Sequence, residues 1–559
     1  MITSLLGGGI KGQAGNINIT TGSLSIASRC SLNADTYGQG NGGNISIEAQ
    51  DNVSFVTEGG AYTRVQLDAN GKGGDIDIKA DSLTLSDGSF IATSTLGQGN
   101  SGSVTINVAD SVNLSGVNQE SFPGGIYSEV ATIQPNSDGG NVNITARSLK
   151  VNDGALLATR TNGNGNAGSV NINATDFVLF DGVGSNNNRS GAYSLAFTLG
   201  TGAANDININ TDSLFLRNGA NLRAGTEGVG NAGNIKIIAQ DLVSIDGASS
   251  DRFPSTIETE VAKNALGNGG DVDITTMSLF ITNAGELSSS SQGNGAAGDL
   301  MVNANLIRLD NRGKISADTI AGQGNINLNP RDLLIMRRNS EITTQAFGTN
   351  ITGGNITIDG ENSFIIAVPN ENSNTRADSE DFRGGNITIN VANIFGFELQ
   401  TTSFPPKSSI TATGASPDLS GNIQINTPDV DPSKGLVSLT IDVVDVARLV
   451  DDNVCARTAN SIFIYTGHGG LPPSPNNTLN TDAGWEDWRV TAVPRETEEQ
   501  KDRKTVRQNN FLSPTQIVEA QGWIINKNGE VTLTSYPSTA TPRKVANSSL
   551  GCQAPIANQ

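Results

Sequence analysis

A chain of 559 residues is long enough for three or four ordinary globular domains, yet 36% of it is hydrophobic, 5% is aromatic and 66 residues are glycine, too little apolar material for several rounded cores. The formal net charge of −20, with the charges scattered rather than gathered into blocks, argues against nucleic acid and anionic lipid as partners. Cys30, Cys455 and Cys552 are the only cysteines and none sits in a CxxC pair, which excludes a disulfide-dense miniature scaffold and leaves no zinc or redox signature.

Residues 1–15 lack the charged start, apolar centre and cleavage site of a secretory signal, and no run of about 18 apolar residues is present to cross a bilayer. From Asn16 onward one phrase recurs: small residues and glycine, then Asn, Asp or Ser, then two aliphatics separated by one residue. It reads AGNINI at Asn16, GGNISI at Asn44, GGDIDI at Asp75, SGSVTI at Ser103 and GGNVNI at Asn141, and continues through Ser169, Asp206, Asn234, Asp271, Asp299, Asn325, Asn355 and Asn386 to SGNIQI at Asn422. The fourteen anchors lie 26 to 38 residues apart, which marks a repeat array.

Two more short strands follow inside each unit, such as Ser82 to Leu85 ending at Asp87-Gly88, then Phe90 to Thr93 running into a Gly-Asn turn. Three strands and three turns therefore make one unit. Period-two alternation puts Ile45 with Ile47, Ile76 with Ile78, and Val142 with Ile144 on one side of their strands. A unit this small cannot bury that side alone, but units stacked in register lay aliphatic over aliphatic and pair every backbone amide with the next coil. The expected fold is all-β: a right-handed parallel β-helix of about fourteen coils over residues 1–427, roughly 65 Å long at about 4.8 Å per coil, with a small mixed C-terminal region.

The Gly-Asn corner before each first strand is expected to need positive φ and close backbone approach, and its Asn or Asp side chains to form a ladder. A calcium-binding nonapeptide would need a GGxGxD pattern, which 71–78 does not supply. Units beginning at Ser103, Ser169 and Asn234 are about ten residues longer than those that follow them, with the extra residues at 117–126, 183–192 and 248–257. Insertions at one place in alternate coils project from one corner as a row of three, the natural binding face of a repeat array. Phe122, Pro123, Asn187, Arg189, Phe253 and Pro254 are its candidate binding residues.

After Asn422 the phrase ends. Residues 428–466 read as a transition or cap with a short helix over 445–452, residues 467–510 as a Gly/Pro-rich and charged linker, and 511–559 as a β-hairpin region turning at Asn528-Gly529. Cys455 and Cys552 flank this region and are expected to pair as a disulfide.

The GNGGNISI-type units, the SLTLSDG strand and the terminal segments TGHGGLPPSPNNTL and PTQIVEAQGWIINKNGEVTLTS resemble cyanobacterial exoproteins of the filamentous haemagglutinin type, which are exported by two-partner secretion. The likeness covers nearly the whole chain, and its C-terminal segments are its specific part. It implies a pectin-lyase-like right-handed β-helix, an outer-membrane transporter as partner, an extracellular or outer-membrane-surface location, and adhesion or surface assembly, with glycans or other cell-surface components as binding partners. The N-terminal secretion domain of that group, with its signal peptide, has no counterpart here, so the chain is expected to be a C-terminal portion.

Parallel β-helices also carry polysaccharide lyases and hydrolases, whose sites need converging carboxylates or calcium-binding acids with a basic partner. Asp75 with Asp77 and Asp271 with Asp273 follow the repeat grammar as corner and outer-face residues, and the sole histidine, His468, stands in the Gly/Pro tract without a nucleophile or ligand partner. No catalytic, cofactor-binding or metal-ligating residue is singled out and no cofactor is expected. The reading is a non-catalytic adhesin-like shaft; the alternative is a polysaccharide-active β-helix enzyme.

Overall fold

The computed structural model describes residues 1–131, 137–198, 200–399, 407–428, 522–525 and 531–534. Within 1–428 the chain winds into a right-handed parallel β-helix whose successive coils stack strand on strand. The repeat phrase sets the register. Ile17 pairs with Ile45, Ile45 with Ile76, Ile76 with Val104 and so on through Ile356, Ile387 and Ile423, one equivalent position per coil without a slip.

Each coil presents three faces, here called first, second and third in chain order. The first and second carry the alternating aliphatics, and Ile45, Ile47, Val53, Phe55, Ile76, Ile78, Leu83 and Leu85 are all buried in one continuous core. The third face adds one aliphatic per coil, such as Ile91, Ile126, Leu157, Leu222 and Ile257. The next inward position on that face is polar and yet buried: Thr93 Oγ1 donates to Gly102 O at 2.6 Å, Thr259 Oγ1 to Gly270 O at 2.6 Å and Thr344 Oγ1 to Gly354 O at 2.7 Å. These hydroxyls close the corner between third and first strands by satisfying its carbonyls, which in places accept from a second hydroxyl in the next coil, as Gly102 O does from Ser128 Oγ and Gly270 O from Ser289 Oγ. A core of this kind needs few large side chains, which accounts for the low apolar fraction.

Two features of the coil differ from the sequence reading. From Val142 onward the first and second strands run into one another, as in Val142–Asn152 and Val170–Asp181, and the corner is a register shift inside a continuous strand, for example between Ala146 and Ser148. Positive φ occurs at expected corner glycines, Gly40, Gly99, Gly230 and Gly267, each just before an Asn, and also at a second place in the coil. Left-handed pairs stand there between second and third strands, among them Asp87-Gly88, Asp153-Gly154, Asn218-Gly219 and Asn283-Ala284. The glycine just before the first strand is required by contact alone, since a Cβ on Gly140 would stand 1.9 Å from Gly102 O. Ile2–Thr3 pairs with the third-face strand Ser31–Asn33, so the solenoid begins ahead of Asn16, within the expected 1–427.

The corner ladder is present. Asn16 Oδ1 accepts from Asn44 N at 2.9 Å, Asn44 Oδ1 from Asp75 N at 2.9 Å and Asp75 Oδ1 from Ser103 N at 2.8 Å; the series resumes from Asp206 and runs to Asn422. It breaks at one step, where Asp206 N turns to Asn205 Oδ1 instead of Ser169. Asp271 serves the ladder, accepting from Asp299 N at 2.8 Å, while Asp77 and Asp273 stand on the first face.

A second compact unit spans Val437–Gln559. Its described part is an antiparallel pair, Gly522–Ile525 with Val531–Thr534, in which Trp523 faces Leu533. The Asn528-Gly529 turn, the helix over 445–452, the Gly/Pro linker with His468, and the Cys455 and Cys552 pairing lie outside the described residues. Among the described residues no helix is long and apolar enough to cross a membrane.

A candidate binding face under the row of loops

The inserted segments are miniature hairpins. Val117 bridges Pro123, Val183 bridges Arg189 and Ala248 bridges Pro254, each antiparallel. Each is closed in the same way, by Asn118 N to Phe122 O at 2.8 Å, Gly184 N to Asn188 O at 2.7 Å and Ser249 N to Phe253 O at 2.8 Å. Lying two coils apart, roughly 10 Å, they still touch: Asn188 Nδ2 donates to Ser121 O at 2.7 Å, and the Arg189 guanidinium donates to Pro254 O. The space between them is kept open by glycine, since a Cβ on Gly154 would meet the Gly184 backbone at 2.8 Å.

The loops border the outer side of the third face. Its outward positions in successive coils are Tyr62, Ala92, Tyr127, Ala158, Tyr193, Arg223 and Glu258, followed one alternation later by Arg64, Ser94, Glu129, Arg160, Leu195, Gly225 and Glu260. Two clefts open between this surface and the loops, and both are lined by Arg160.

The first cleft, about 340 Å³, is lined by Tyr62, Phe90, Tyr127, Arg64, Glu129 and Arg160 from the coils and by Asn118, Phe122 and Pro123 from the first loop. Tyr62 and Phe90 pack with ring centroids 4.7 Å apart, Arg64 stacks over Tyr62 at 4.8 Å and Arg160 over Tyr127 at 5.4 Å. Tyr127 Oη donates to Pro123 O at 2.8 Å, which ties the ring to the base of the loop. Burial pushes the Tyr62 hydroxyl up to about 12, so it stays protonated. Phe122 is 63% exposed at the rim.

The second cleft, about 450 Å³, is lined by Arg160, Tyr193, Asn221, Arg223, Glu258 and Glu260, with Asn187, Asn188 and Arg189 of the second loop. Arg223 gathers three carboxylates: Nη1 meets Glu227 at 3.0 Å, Nη2 meets Glu260 at 2.8 Å and Nε lies 3.9 Å from Glu258. Glu258 Oε1 accepts from Asn221 Nδ2 at 2.8 Å. Burial raises the Glu258 carboxyl above the ordinary range despite the opposing pull of Arg223. Arg189 is spent on the shaft, donating to Gly219 O at 2.7 Å, Ala220 O at 3.2 Å and Thr256 Oγ1 at 3.0 Å besides Pro254 O.

Compared with protein-family models, with curated proteins and with solved structures, the chain matches none.

Of the residues expected to bind, Phe122 and Pro123 therefore line the first cleft and Asn187 and Arg189 the second, while Phe253 and Pro254 of the third loop line neither, Pro254 touching the second cleft only through its bond to Arg189. The sequence reading did not single out the coil residues that complete the clefts. Tyr127 and Tyr193 each stand two places after a glycine that opens the third strand following a loop, an offset visible only once the units are aligned. Among the described residues no cluster of three or more His, Cys, Asp or Glu side chains is arranged to hold a metal ion.

Proposed function

We propose that this chain is a non-catalytic, adhesin-like shaft of the filamentous haemagglutinin type, working at the cell surface or outside the cell after passage through an outer-membrane transporter partner, and binding surface glycans along its third face. One observation carries the reading: three linked loops border two clefts lined with aromatic rings and arginines on an otherwise regular rod. Flat rings beside charged and hydroxyl donors are what a sugar requires, with apolar contact for its CH face and fixed polar groups for its hydroxyls. A rigid solenoid offers such groups at a constant spacing of about 4.8 Å per coil, suited to an extended polymer.

A second reading, polysaccharide cleavage, is favoured by Glu258 and Glu260, two acids beside one arginine in an open cleft, one of them with its carboxyl raised by burial. Both are held by Arg223, which accounts for them structurally. The full chain incubated with a glycan array and then with its best soluble ligands separates the readings. Binding that leaves ligand length and reducing-end content unchanged supports the adhesive shaft. New reducing or unsaturated ends overturn it in favour of an enzyme, and binding to no glycan rejects the adhesive reading.

A further inference from the structure

The two clefts meet at Arg160, and its surroundings are unusual for a guanidinium. Among the described residues its side chain makes no ion pair and no hydrogen bond, and its Nε is buried without a partner. Its register partner Glu129 stands directly across on the neighbouring strand, yet the two form no ion pair; the guanidinium lies over the Tyr127 ring instead, 5.4 Å from its centroid. The other arginines of the two clefts are engaged: Arg64 with Asp35 at 3.1 Å, Arg223 with its glutamates, and Arg189 with backbone carbonyls. A half-buried cation left without an ion pair in a chain of net charge −20 has its terminal Nη donors available for an anion.

We propose that Arg160 is the anion-binding centre of a subsite for acidic saccharides, in which a sugar ring lies against Phe122 and Tyr127 and its carboxylate or sulfate is held by the Arg160 guanidinium. The proposal rests on the glycan-binding reading above and narrows it to a substrate class. The aromatic wall is prepared for this: Tyr127 is fixed by its hydroxyl to the loop, Pro123 rigidifies the loop's closing bridge, and Phe122 is presented at the rim. A preorganised wall loses little entropy when a ring settles on it. Glu129, also on the cleft wall, offers an acceptor for sugar hydroxyls.

The test is calorimetric titration of the full chain with three oligosaccharides of equal length: an oligogalacturonate bearing carboxylates only, a sulfated galactan fragment bearing sulfates only, and a neutral cello-oligosaccharide. The expected result is at least tenfold tighter binding of one or both anionic sugars than of the neutral one, weakening with added salt; which anion binds better identifies carboxylate or sulfate as the recognised group. Arg160→Ala is expected to bring the ratio of anionic to neutral affinity down to about one, Arg160→Lys to keep part of the preference, and Phe122→Ala to weaken all three sugars while keeping that ratio. Because the Arg160 side chain carries no hydrogen bond in the fold, its variants are expected to melt within a few degrees of the parent, which checks that they are folded. Equal binding of neutral and acidic sugars, or an anion preference that survives Arg160→Ala, overturns the proposal while leaving the glycan reading in place. Binding of none of the three sugars by the parent chain overturns the subsite, whereas failure across a full glycan array is what rejects the adhesive reading.

Discussion

Asn188 donates its side-chain amide to the carbonyl of Ser121 at 2.7 Å across 67 residues of sequence. That bond joins the tips of two loops that spring from different coils, and Arg189, the next residue, carries the chain of contacts on to the third loop through Pro254 O. The row is therefore one connected ridge with Arg189 as its central bolt. Arg189→Ala removes these contacts at once and leaves Gly219 O without its donor, while Ala220 O and Pro254 O keep Thr256 as theirs, and should destabilise this part of the shaft by about 1–3 kcal/mol. The loss should be local, since repeats contact mainly their neighbours. Amide exchange should accelerate at Gly219 and Thr256 and stay unchanged near Ile45; uniform protection across the variant would contradict the bolt.

Arg223 allows a paired test. Replacing it by Leu leaves Glu227, Glu258 and Glu260 crowded without their shared cation, and should cost about 3–5 kcal/mol as read by a lowered urea midpoint. Glu258→Gln should be far milder, within about 1 kcal/mol, because its amide oxygen can still accept from Asn221 and no charge remains to be buried. The sign of the pH effect follows from the raised Glu258 carboxyl. The folded state holds that proton more tightly than the unfolded chain, so stability falls as pH rises from the ordinary carboxyl value to the raised one. Glu258→Gln should flatten that part of the stability profile.

The shaft was legible because its signal is periodic twice over. Alternation within a strand placed Ile76 and Ile78 inside, and the anchor spacing placed Ile76 over Ile45, so register followed from pattern alone. The ladder was legible for the same reason, Asn or Asp recurring at one offset. The merging of first and second strands was not, since a register shift such as that at Ala146 and Ser148 leaves the alternation on either side intact. The site was half legible. Insertions exposed the loops, but Tyr62, Tyr127, Arg160 and Arg223 come from four separate coils and share no motif; stacking alone brings them to one face.

The ladder itself predicts how Asn and Asp differ. Asn355 Oδ1 accepts from both the backbone N and the side chain of Asn386, at 3.0 and 3.2 Å, while its own amide donates to Asn325 Oδ1 at 3.1 Å. Asn355→Ala removes both roles and should cost about 1–2 kcal/mol. Asn355→Asp keeps the acceptor and should cost less than half as much, as Asp299 already does in the same position, where it receives Asn325 N at 2.9 Å. Thermal melts of the two variants should fall in that order, and equal losses would show that the acceptor role is not what matters.

Acid sensitivity should concentrate at Asp310. Arg338 grips both its carboxylate oxygens at 2.7 Å and Arg308 adds a contact at 2.6 Å, and this pairing, with Arg338 foremost, lowers its carboxyl from the usual 3.8 to about 2. The unfolded chain therefore takes up a proton first as pH falls, so the stability this group contributes is complete above pH 4 and is lost on the way down to pH 2. Arg338→Ala should lower stability at neutral pH and reduce the steepness of the loss between pH 4 and 2, because Arg308 alone holds the carboxylate less firmly. Urea midpoints measured at half-unit intervals over that range check the slope. An unchanged slope in the variant would place the acid sensitivity in another carboxylate, the first alternative being Glu371, which Arg337 lowers in the adjoining coil.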